Sequence, residues 1–421
     1  MLLTVGRAPA QQAAAAAPEP EPPRPVVAIT GFIHADWTVF RQSSENEVNP
    51  DGQPLNEDRF VLRRARLRAT ADRGLVYGAI ELEANTVRDV QVRPVNAEAS
   101  FKWPAARPAF DPSLDQRKLP VETWFMVTVG LIRTPFGFEP TEGAVRRPFL
   151  EQTTMSTAFF PGQFDLGFRV VGGFKFVNYA LGIMNGDPIG ERAFPGRDPN
   201  KSKDLVFRVG AANDLTDGVR VEAGFSGLTG RGFHVGRRAA TDQIVWRDLN
   251  EDGVVDPIEL QSISGAPAEP SATFKRFAVG ADLRVFIQVP LLGELAVRGE
   301  LVRASNLDRG VSVADPVASS HDLRELGWYV GATQEVTRWA QGGIRYDRYN
   351  PDADASEREP FALVPRDPSF STWSFMLAAR LPFGRLVAQY DLRSNALGRD
   401  AAGAPTTLAD DSFTLRAEAR F

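Results

Sequence analysis

The strongest structural signal in this 421-residue chain reads Arg276-Phe277-Ala278-Val279-Gly280-Ala281-Asp282-Leu283-Arg284-Val285. Apolar side chains occupy every second position from Phe277 to Val285, and Arg, Asp or small residues occupy the positions between them. Because successive side chains of a β-strand point to opposite faces, the alternation predicts a strand with one apolar and one polar face. The pattern resumes after a turn, in residues 293–305, which predicts an antiparallel hairpin.

The same alternation recurs from Val27 to the C-terminal Phe421, and no helical periodicity of comparable quality accompanies it. The connections between alternating segments are short and long in turn, except that 104–120 is too long for a tight turn. The long loops are 42–58, 134–164, 187–203, 229–273, 306–325, 350–371 and 394–410. About sixteen strands are predicted, near 27–41, 59–72, 75–84, 95–103, 121–133, 165–176, 178–186, 204–212, 218–228, 274–286, 293–305, 326–334, 338–349, 372–381, 385–393 and 411–421.

Strands of about ten residues suit a tilted crossing of a hydrocarbon layer better than the shorter strands of soluble sheets. Lipid offers no partner to backbone N–H and C=O groups, so a sheet that crosses it must close on itself. The sequence therefore predicts an all-β fold, a transmembrane antiparallel β-barrel of about 16 strands with short periplasmic turns and long extracellular loops. We expect residues 27–421 to form this single barrel in the bacterial outer membrane, in contact with its lipid.

The two ends of the chain carry different signals. Residues 1–26 are rich in Ala and Pro, and Ala8-Pro9-Ala10 resembles a signal-peptidase site. We expect this segment to be a disordered leader with the remainder of a signal peptide. Phe421 ends an alternating strand and resembles the terminal signature that the barrel-assembly machinery of bacteria reads, so we expect it to be an assembly signal.

The composition excludes several kinds of site. The chain has 48 basic and 53 acidic residues, a net charge of −5 and no cysteine. Without cysteine, disulfide scaffolds, Cys-ligated zinc, iron–sulfur clusters and thiol catalysis are excluded. The histidines His34, His234 and His321 are scattered, and neither a Gly-x-Ser-x-Gly nor a His-Glu-x-x-His motif occurs. We therefore predict no catalytic residues, no enzyme activity and no nucleic-acid partner.

Four motifs occur in order in the first half of the barrel region. They read Arg63-Arg64-Ala65-Arg66-Leu67-Arg68, Val129-Gly130-Leu131-Ile132-Arg133-Thr134-Pro135-Phe136-Gly137-Phe138-Glu139, Phe160-Pro161-Gly162-Gln163-Phe164-Asp165-Leu166-Gly167 and Tyr179 to Gly186, which ends Met184-Asn185-Gly186. Together they resemble the landmarks of the phosphate-selective porin O and P family. The resemblance implies a homotrimeric sixteen-strand channel whose third extracellular loop, here 134–164, folds into the pore as a constriction.

Arginine dominates the basic residues, because only 102, 118, 175, 201, 203 and 275 are lysine. Guanidinium groups bind oxyanions with two parallel hydrogen bonds. Acidic residues on the same strand faces would pair with many of the arginines, and the family's lysine cluster has no counterpart here. We therefore expect passive diffusion of small anionic or neutral solutes, with a weak anion preference rather than strict phosphate selectivity. Candidate pore-lining or anion-binding residues are Arg64, Arg66, Arg68, Arg133, Arg146, Arg147, Arg169 and Arg284.

The longest predicted extracellular loop, 229–273, contains a calcium-type motif. Residues 248–259 fit the twelve-residue pattern D-x-[DN]-x-[DN]-G-x5-E at every specified position. A structural Ca²⁺ ion would be held by Asp248, Asn250, Asp252, the Val254 carbonyl, Asp256 and Glu259. The alternative is an acidic loop built from Asx turns, which holds no metal.

Two other functions stay open at this point. The chain could be an all-β surface protein that binds a sugar or another ligand without forming a channel. Less favoured is a hydrolase embedded in a barrel, which would need a serine near His34 on the outer surface.

Overall fold

Sixteen antiparallel strands close into one barrel in the computed structural model, with the first strand paired to both the second and the last. The structure describes residues 26–43, 49, 53, 55–87, 90–103, 125–174, 176–187, 200–359, 362–399 and 405–421. The leader 1–25 and the connection 104–120 lie outside the described residues. The barrel strands are β1 (Val26–Phe40), β2 (Asp58–Arg73), β3 (Val76–Asn85), β4 (Gln91–Trp103), β5 (Phe125–Arg133), β6 (Phe164–Phe174), β7 (Val177–Met184), β8 (Asp204–Thr216), β9 (Val219–His234), β10 (Ala272–Val289), β11 (Gly293–Ser305), β12 (Arg324–Thr337), β13 (Ala340–Asn350), β14 (Phe370–Leu381), β15 (Gly384–Ser394) and β16 (Ser412–Arg420).

The predicted fold class is confirmed, and each predicted strand corresponds to one barrel strand. The strand predicted at 293–305 has the same bounds in the structure. Where strands meet at one end of the barrel, the described connections are short turns, such as 74–75 and 382–383, and long loops join them at the other end. Three two-stranded hairpins within the long loops are additional to the prediction: Gln243–Trp246 with Leu260–Ile263, Ser356–Glu359 with Ala362–Pro365, and Gly398–Arg399 with Pro405–Thr406.

The two strand faces differ as the alternation predicts. On β10 the side chains of Phe277 and Leu283 are 49% and 51% exposed on the outside, whereas Arg284 is 5% exposed on the inside. β11 repeats the arrangement, with Leu301 outward and Glu300 inward. The barrel thus presents an apolar outer surface to a membrane and a charged lumen. Among the described residues, no helix has the length and apolar character needed to span a membrane.

One irregularity changes the direction of functional side chains. His34 of β1 pairs with Arg64 of β2, but the next residue, Ala35, pairs with Leu62, so the register shifts there by one residue. Arg63 is therefore the extra residue of a β-bulge, and strict alternation does not hold there.

Candidate functional site

Residues 134–163, which we call the inner loop, follow β5 and lie inside the barrel. Its side chains Phe136, Met155, Phe159 and Phe160 are at most 1% exposed. They pack in an apolar cluster with wall residues that include Val302 of β11. The loop also contains a 3₁₀ turn, Glu139–Thr141, and a helix, α1 (Thr154–Phe159), whose N-cap Thr153 accepts a hydrogen bond from the Ser156 amide. The apolar side of the loop therefore holds it against one part of the lumen wall.

Polar side chains of the wall complete this attachment. The carboxylate of Glu300 accepts hydrogen bonds from the amides of Phe138 (3.3 Å) and Glu139 (3.1 Å). The hydroxyl of Ser226 accepts one from the amide of Gly137, at 3.0 Å. Gly137 has φ of 63°, and a Cβ atom there would collide with the Glu300 carboxylate, so both conformation and space require glycine.

Inside the inner loop, Glu139 joins its two halves. Its carboxylate accepts hydrogen bonds from the Thr153 amide and from the hydroxyls of Thr153 and Ser156. The same carboxylate forms an ion pair of 3.3 Å with Arg345 of β13. A buried carboxylate that is paired in this way fixes the position of the loop on the wall.

Glu151 is the second anchor, beside the wall formed by β2 and β16. It forms ion pairs with Arg63 (3.1 Å), Arg64 (2.8 Å) and Arg416 of β16 (2.7 Å). The bulge in β2 allows the adjacent residues Arg63 and Arg64 to reach the same carboxylate. Burial alone would raise the pKa of Glu151, but these three arginines hold this pKa well below its usual value.

The inner loop divides the lumen into cavities. A cavity of about 420 Å³ lies toward the short turns, and cavities of about 260 Å³ and 110 Å³ lie on the other side of the loop. A cavity of only about 10 Å³, which includes Glu142, Arg147, Glu151 and Arg345 in its lining, shares residues with all three. That volume is near the space of one water molecule, so the gap beside Arg147 and Glu151 is tight.

The eight predicted arginines do not all gather at one place, although Arg64, Arg66 and Arg147 line the 110 Å³ cavity together. Arg66 and Arg68 form ion pairs with Glu81, and each has a second carboxylate, Glu83 or Glu98. Arg64 belongs to the Glu151 group, as described above. These pairs across β2, β3 and β4 brace the wall, as expected for opposite charges on neighbouring strands.

The remaining predicted arginines belong to the inner loop or lie next to it. Arg133 donates hydrogen bonds to the Glu142 carbonyl (2.9 Å) and to Gln163 (2.8 Å), and Arg169 donates one to the Arg133 carbonyl. The guanidinium of Arg284 lies 3.5 Å from the centre of the Phe138 ring and forms an ion pair with Glu222. Neighbouring positions 146 and 147 diverge: Arg146 is exposed and lines the 420 Å³ cavity, whereas Arg147 is 4% exposed.

Arg147 has the least compensated charge of these residues. Its guanidinium donates one hydrogen bond, to the Glu142 carbonyl at 3.1 Å, and its Nε atom is buried without a partner among the described residues. Burial, together with the nearby charges of Arg64 and Arg133, lowers the pKa of Arg147 below its usual value. A buried cation in such surroundings is stabilised by an anion that enters the adjacent space.

Sequence reasoning missed Arg63 and Glu151. Arg63 is reached only through the bulge, which alternation does not reveal. Glu151 lies in a loop whose path across the lumen has no periodic signal. The basic run at 63–68 was the available clue, because so many guanidinium groups require carboxylates nearby.

The calcium-type motif forms an exposed loop between the strands of the 243–263 hairpin. Gly253 has φ of 72°, and its amide donates a hydrogen bond to Asp248 at 2.8 Å. The Glu259 carboxylate faces N–H groups, those of the Leu249 backbone and the Trp246 indole, both at 2.9 Å. In the described part of the chain, no three acidic or histidine side chains gather closely enough to hold a metal ion. The donors thus do not converge in this conformation, and calcium binding stays a prediction.

Two further predicted positions lie near the seam of the barrel. Phe421 exchanges backbone hydrogen bonds with Gly31, at 2.8 and 3.0 Å. The ring of His34 lies on the lumen side, fully buried and 2.9 Å from Glu418. The hydrolase alternative requires a histidine at the outer surface, and His34 does not lie there.

Comparisons with known proteins agree with this architecture. No protein-family model and no curated protein sequence matches the chain. Several solved outer-membrane structures share its fold at very low sequence identity. They include the outer membrane channel DcaP of Acinetobacter baumannii (11% identity, 94% of this chain and 98% of that chain, TM-score 0.56), OprB of Pseudomonas putida (10%, 94% and 94%, 0.54) and OmpT of Vibrio cholerae in a trimer form (11%, 94% and 100%, 0.53).

Proposed function

We propose that this chain is an outer-membrane porin, a channel for passive diffusion of small hydrophilic solutes with a weak preference for anions. The apolar outer face, the charged lumen and the inner loop that narrows it support this proposal. The fold that it shares with DcaP, OprB and OmpT supports the same location and class. The trimer form of OmpT supports a homotrimer surrounded by outer-membrane lipid. Insertion by the barrel-assembly machinery through the Phe421 end stays a prediction.

The anion preference rests on one observation, the buried guanidinium of Arg147, which forms no ion pair among the described residues and lies beside the tight gap. Glu151 is shared by Arg63, Arg64 and Arg416, and Glu139 and Glu142 pair with Arg345 and Arg298. These carboxylates offset most of the positive charge around Arg147, so the excess is small. A small excess attracts anions without binding them tightly, which fits diffusion rather than capture. The sequence resembles a family of phosphate-selective porins. Strict phosphate selectivity would need more unpaired cations close together than the described residues of the lumen offer.

Reversal potentials across a KCl gradient in a planar bilayer test the proposal. Arg147→Gln should lower the anion-to-cation permeability ratio roughly sevenfold, because a unit charge about 7 Å away in a water-like medium favours an anion and disfavours a cation by about 0.6 kcal/mol each. Arg238→Gln removes the same charge from an exposed position of the outer loops and should leave the ratio unchanged. A cation-preferring parent chain, or equal effects of the two variants, would contradict the anion preference.

Phosphate itself is tested in the same bilayer. A weakly selective pore should carry chloride current that millimolar phosphate reduces only slightly. Strong inhibition of the chloride current by micromolar phosphate would instead indicate strict selectivity. A chain that is soluble and monomeric without detergent would contradict the porin proposal altogether.

A further inference from the structure

Residues 306–323, which we call the bracing loop, connect β11 to β12 and contact the inner loop. The Arg309 amide donates a hydrogen bond to the Ala158 carbonyl at 2.8 Å, and its guanidinium donates one to the Phe159 carbonyl at 2.7 Å. Leu307 is fully buried in the same apolar cluster as Phe159. The Ala158 and Phe159 carbonyls lie at the C-terminal end of α1, where cations are favoured. The guanidinium of Arg309 also donates a hydrogen bond to the Gly186 carbonyl, at 3.1 Å, and forms an ion pair of 3.5 Å with Asp204 of β8. The bracing loop therefore supports the inner loop from the side of the long loops.

The inner end of the bracing loop is rigidly built. Glu325 accepts the amides of Leu307 (2.7 Å) and Asp308 (3.1 Å). Asp308 in turn accepts three amides from residues 310–312 and the hydroxyl of Tyr349. With these contacts, a displacement of the bracing loop moves Arg309 as well.

The outer end carries two histidine contacts, each to a different neighbouring loop. His234, at the end of β9, lies 2.6 Å from Asp315 of the bracing loop and 3.4 Å from Glu269. His321 of the bracing loop lies 3.1 Å from Asp352, which follows β13. Two of the three histidines in the chain thus join the bracing loop to the loops on either side of it.

Acidic groups predominate around both rings. Asp315 and Glu269 face His234, and Glu269 also pairs with Arg237, at 3.7 Å. Asp352 and Asp322 face His321. The neighbouring pair Arg324 and Asp354, at 3.1 Å, is a contact between the same two loops that does not depend on histidine charge.

Each pKa shift favours the charged form of its group. Hydrogen bonding to the Ser319 carbonyl and to Asp352 raises the pKa of His321 above its usual value. Partial burial alone would raise the pKa of Asp315, but the hydrogen bond with His234 holds this pKa below its usual value. A raised histidine pKa gives stability that is fully present below about pH 6.5, the ordinary histidine value, and is lost as the pH rises through the value in the folded protein.

We propose that the bracing loop is a clasp controlled by protonation. Protonated His234 and His321 hold it to the neighbouring loops, and deprotonation of the two histidines releases it. When the clasp is closed, Arg309 fixes the C-terminal end of α1 and the inner loop stays in one position. When it is open, that support is weaker and the inner loop samples more conformations. The effect of the clasp on ion current rests on the proposed function, whereas the clasp itself does not.

Hydrogen–deuterium exchange of the refolded full chain in detergent tests the clasp directly. After correction for the intrinsic pH dependence of exchange, protection of amides in 306–323 should fall roughly two- to fivefold per contact between pH 6 and pH 8.5, the range for partly exposed ion pairs. The double variant His234→Gln, His321→Gln should show low protection at both pH values. Asp217→Asn, an exposed acid at a short turn, is the matched control and should behave as the parent chain.

Two results would overturn the proposal: a parent chain whose protection does not change with pH, or a double variant that keeps the parent's change. If the double variant folds poorly, Asp315→Asn and His321→Gln, tested singly, should each remove part of the change. Current recordings form a separate arm, in which closures at pH 8.5 should exceed those at pH 6 in the parent alone. If no current is seen at all, the porin proposal fails, while the exchange result still decides on the clasp.

Discussion

Glu151 of the inner loop and Arg416 of the last strand form an ion pair of 2.7 Å inside the barrel. Arg416 is 1% exposed, and it also pairs with Asp36 of β1, so it connects the seam of the barrel to the inner loop. In the proposed channel, selectivity at this point would depend on the balance between carboxylates such as Glu151 and the guanidinium groups around them.

Glu151→Gln should therefore increase the preference for anions. It removes the carboxylate that Arg63, Arg64 and Arg416 share, and the loss of a unit charge about 7 Å from a passing ion should raise the anion-to-cation permeability ratio roughly sevenfold. Reversal potentials measure the change, with Asp217→Asn as a control that removes one negative charge outside the lumen. An unchanged or lower ratio for Glu151→Gln would mean that ions do not pass this group.

The seam of the barrel depends on a glycine. A Cβ atom at Gly31 would lie 2.5 Å from the Phe421 ring and 2.7 Å from the Arg66 carbonyl. Gly31→Ala should destabilise the closed barrel by about 1–3 kcal/mol, the usual cost of overpacking. The heat-induced shift in gel mobility should occur at a lower temperature, whereas Gly218→Ala, whose new atom would have only an ordinary contact of 3.8 Å, should behave as the parent chain.

The hairpin 243–263 should lose order in acid. Hydrogen bonds from the Trp246 indole and the Leu249 amide lower the pKa of Glu259. A lowered carboxylate pKa gives stability that is present above about pH 4.3, the ordinary value, and is lost as the pH falls through the value in the folded protein. Tryptophan emission should change below pH 4 in the parent chain. This change should be absent from Trp246→Phe, and in Glu259→Gln the emission should already be altered at neutral pH.

Calcium binding to residues 248–259 is tested by proteolysis of the same hairpin. If the motif binds Ca²⁺, millimolar calcium should slow cleavage within 243–263 and raise the temperature at which Trp246 becomes exposed, and Mg²⁺ should not. Asp252→Ala removes one predicted ligand and should abolish both effects. The ion has to compete with the N–H groups that now face Glu259. If parent and variant respond alike to calcium, this motif is not a calcium site.

The barrel was predictable because lipid on one side and a charged lumen on the other impose a period of two on every strand. Leu295, Val297 and Leu301 carry that period through residues 293–305, and the bounds of this strand were predicted correctly. Arg63 was missed because a bulge breaks the period by one residue. The divergence of Arg146 and Arg147 was equally hidden, since the path of the inner loop is set by distant partners such as Glu300 and Gln389. The histidine contacts depend on three loops meeting, and no local pattern encodes that.

The contacts of the inner loop also constrain the order of folding. The Leu150 carbonyl accepts a hydrogen bond from Arg416, a residue 266 positions later in the chain, and the Glu151 pair spans a similar separation. Contacts of such long range carry a loop-closure entropy cost that is smaller once the chain between them is ordered. We therefore expect the inner loop to complete its contacts after β16 has joined β1, so that closure of the wall precedes completion of the interior.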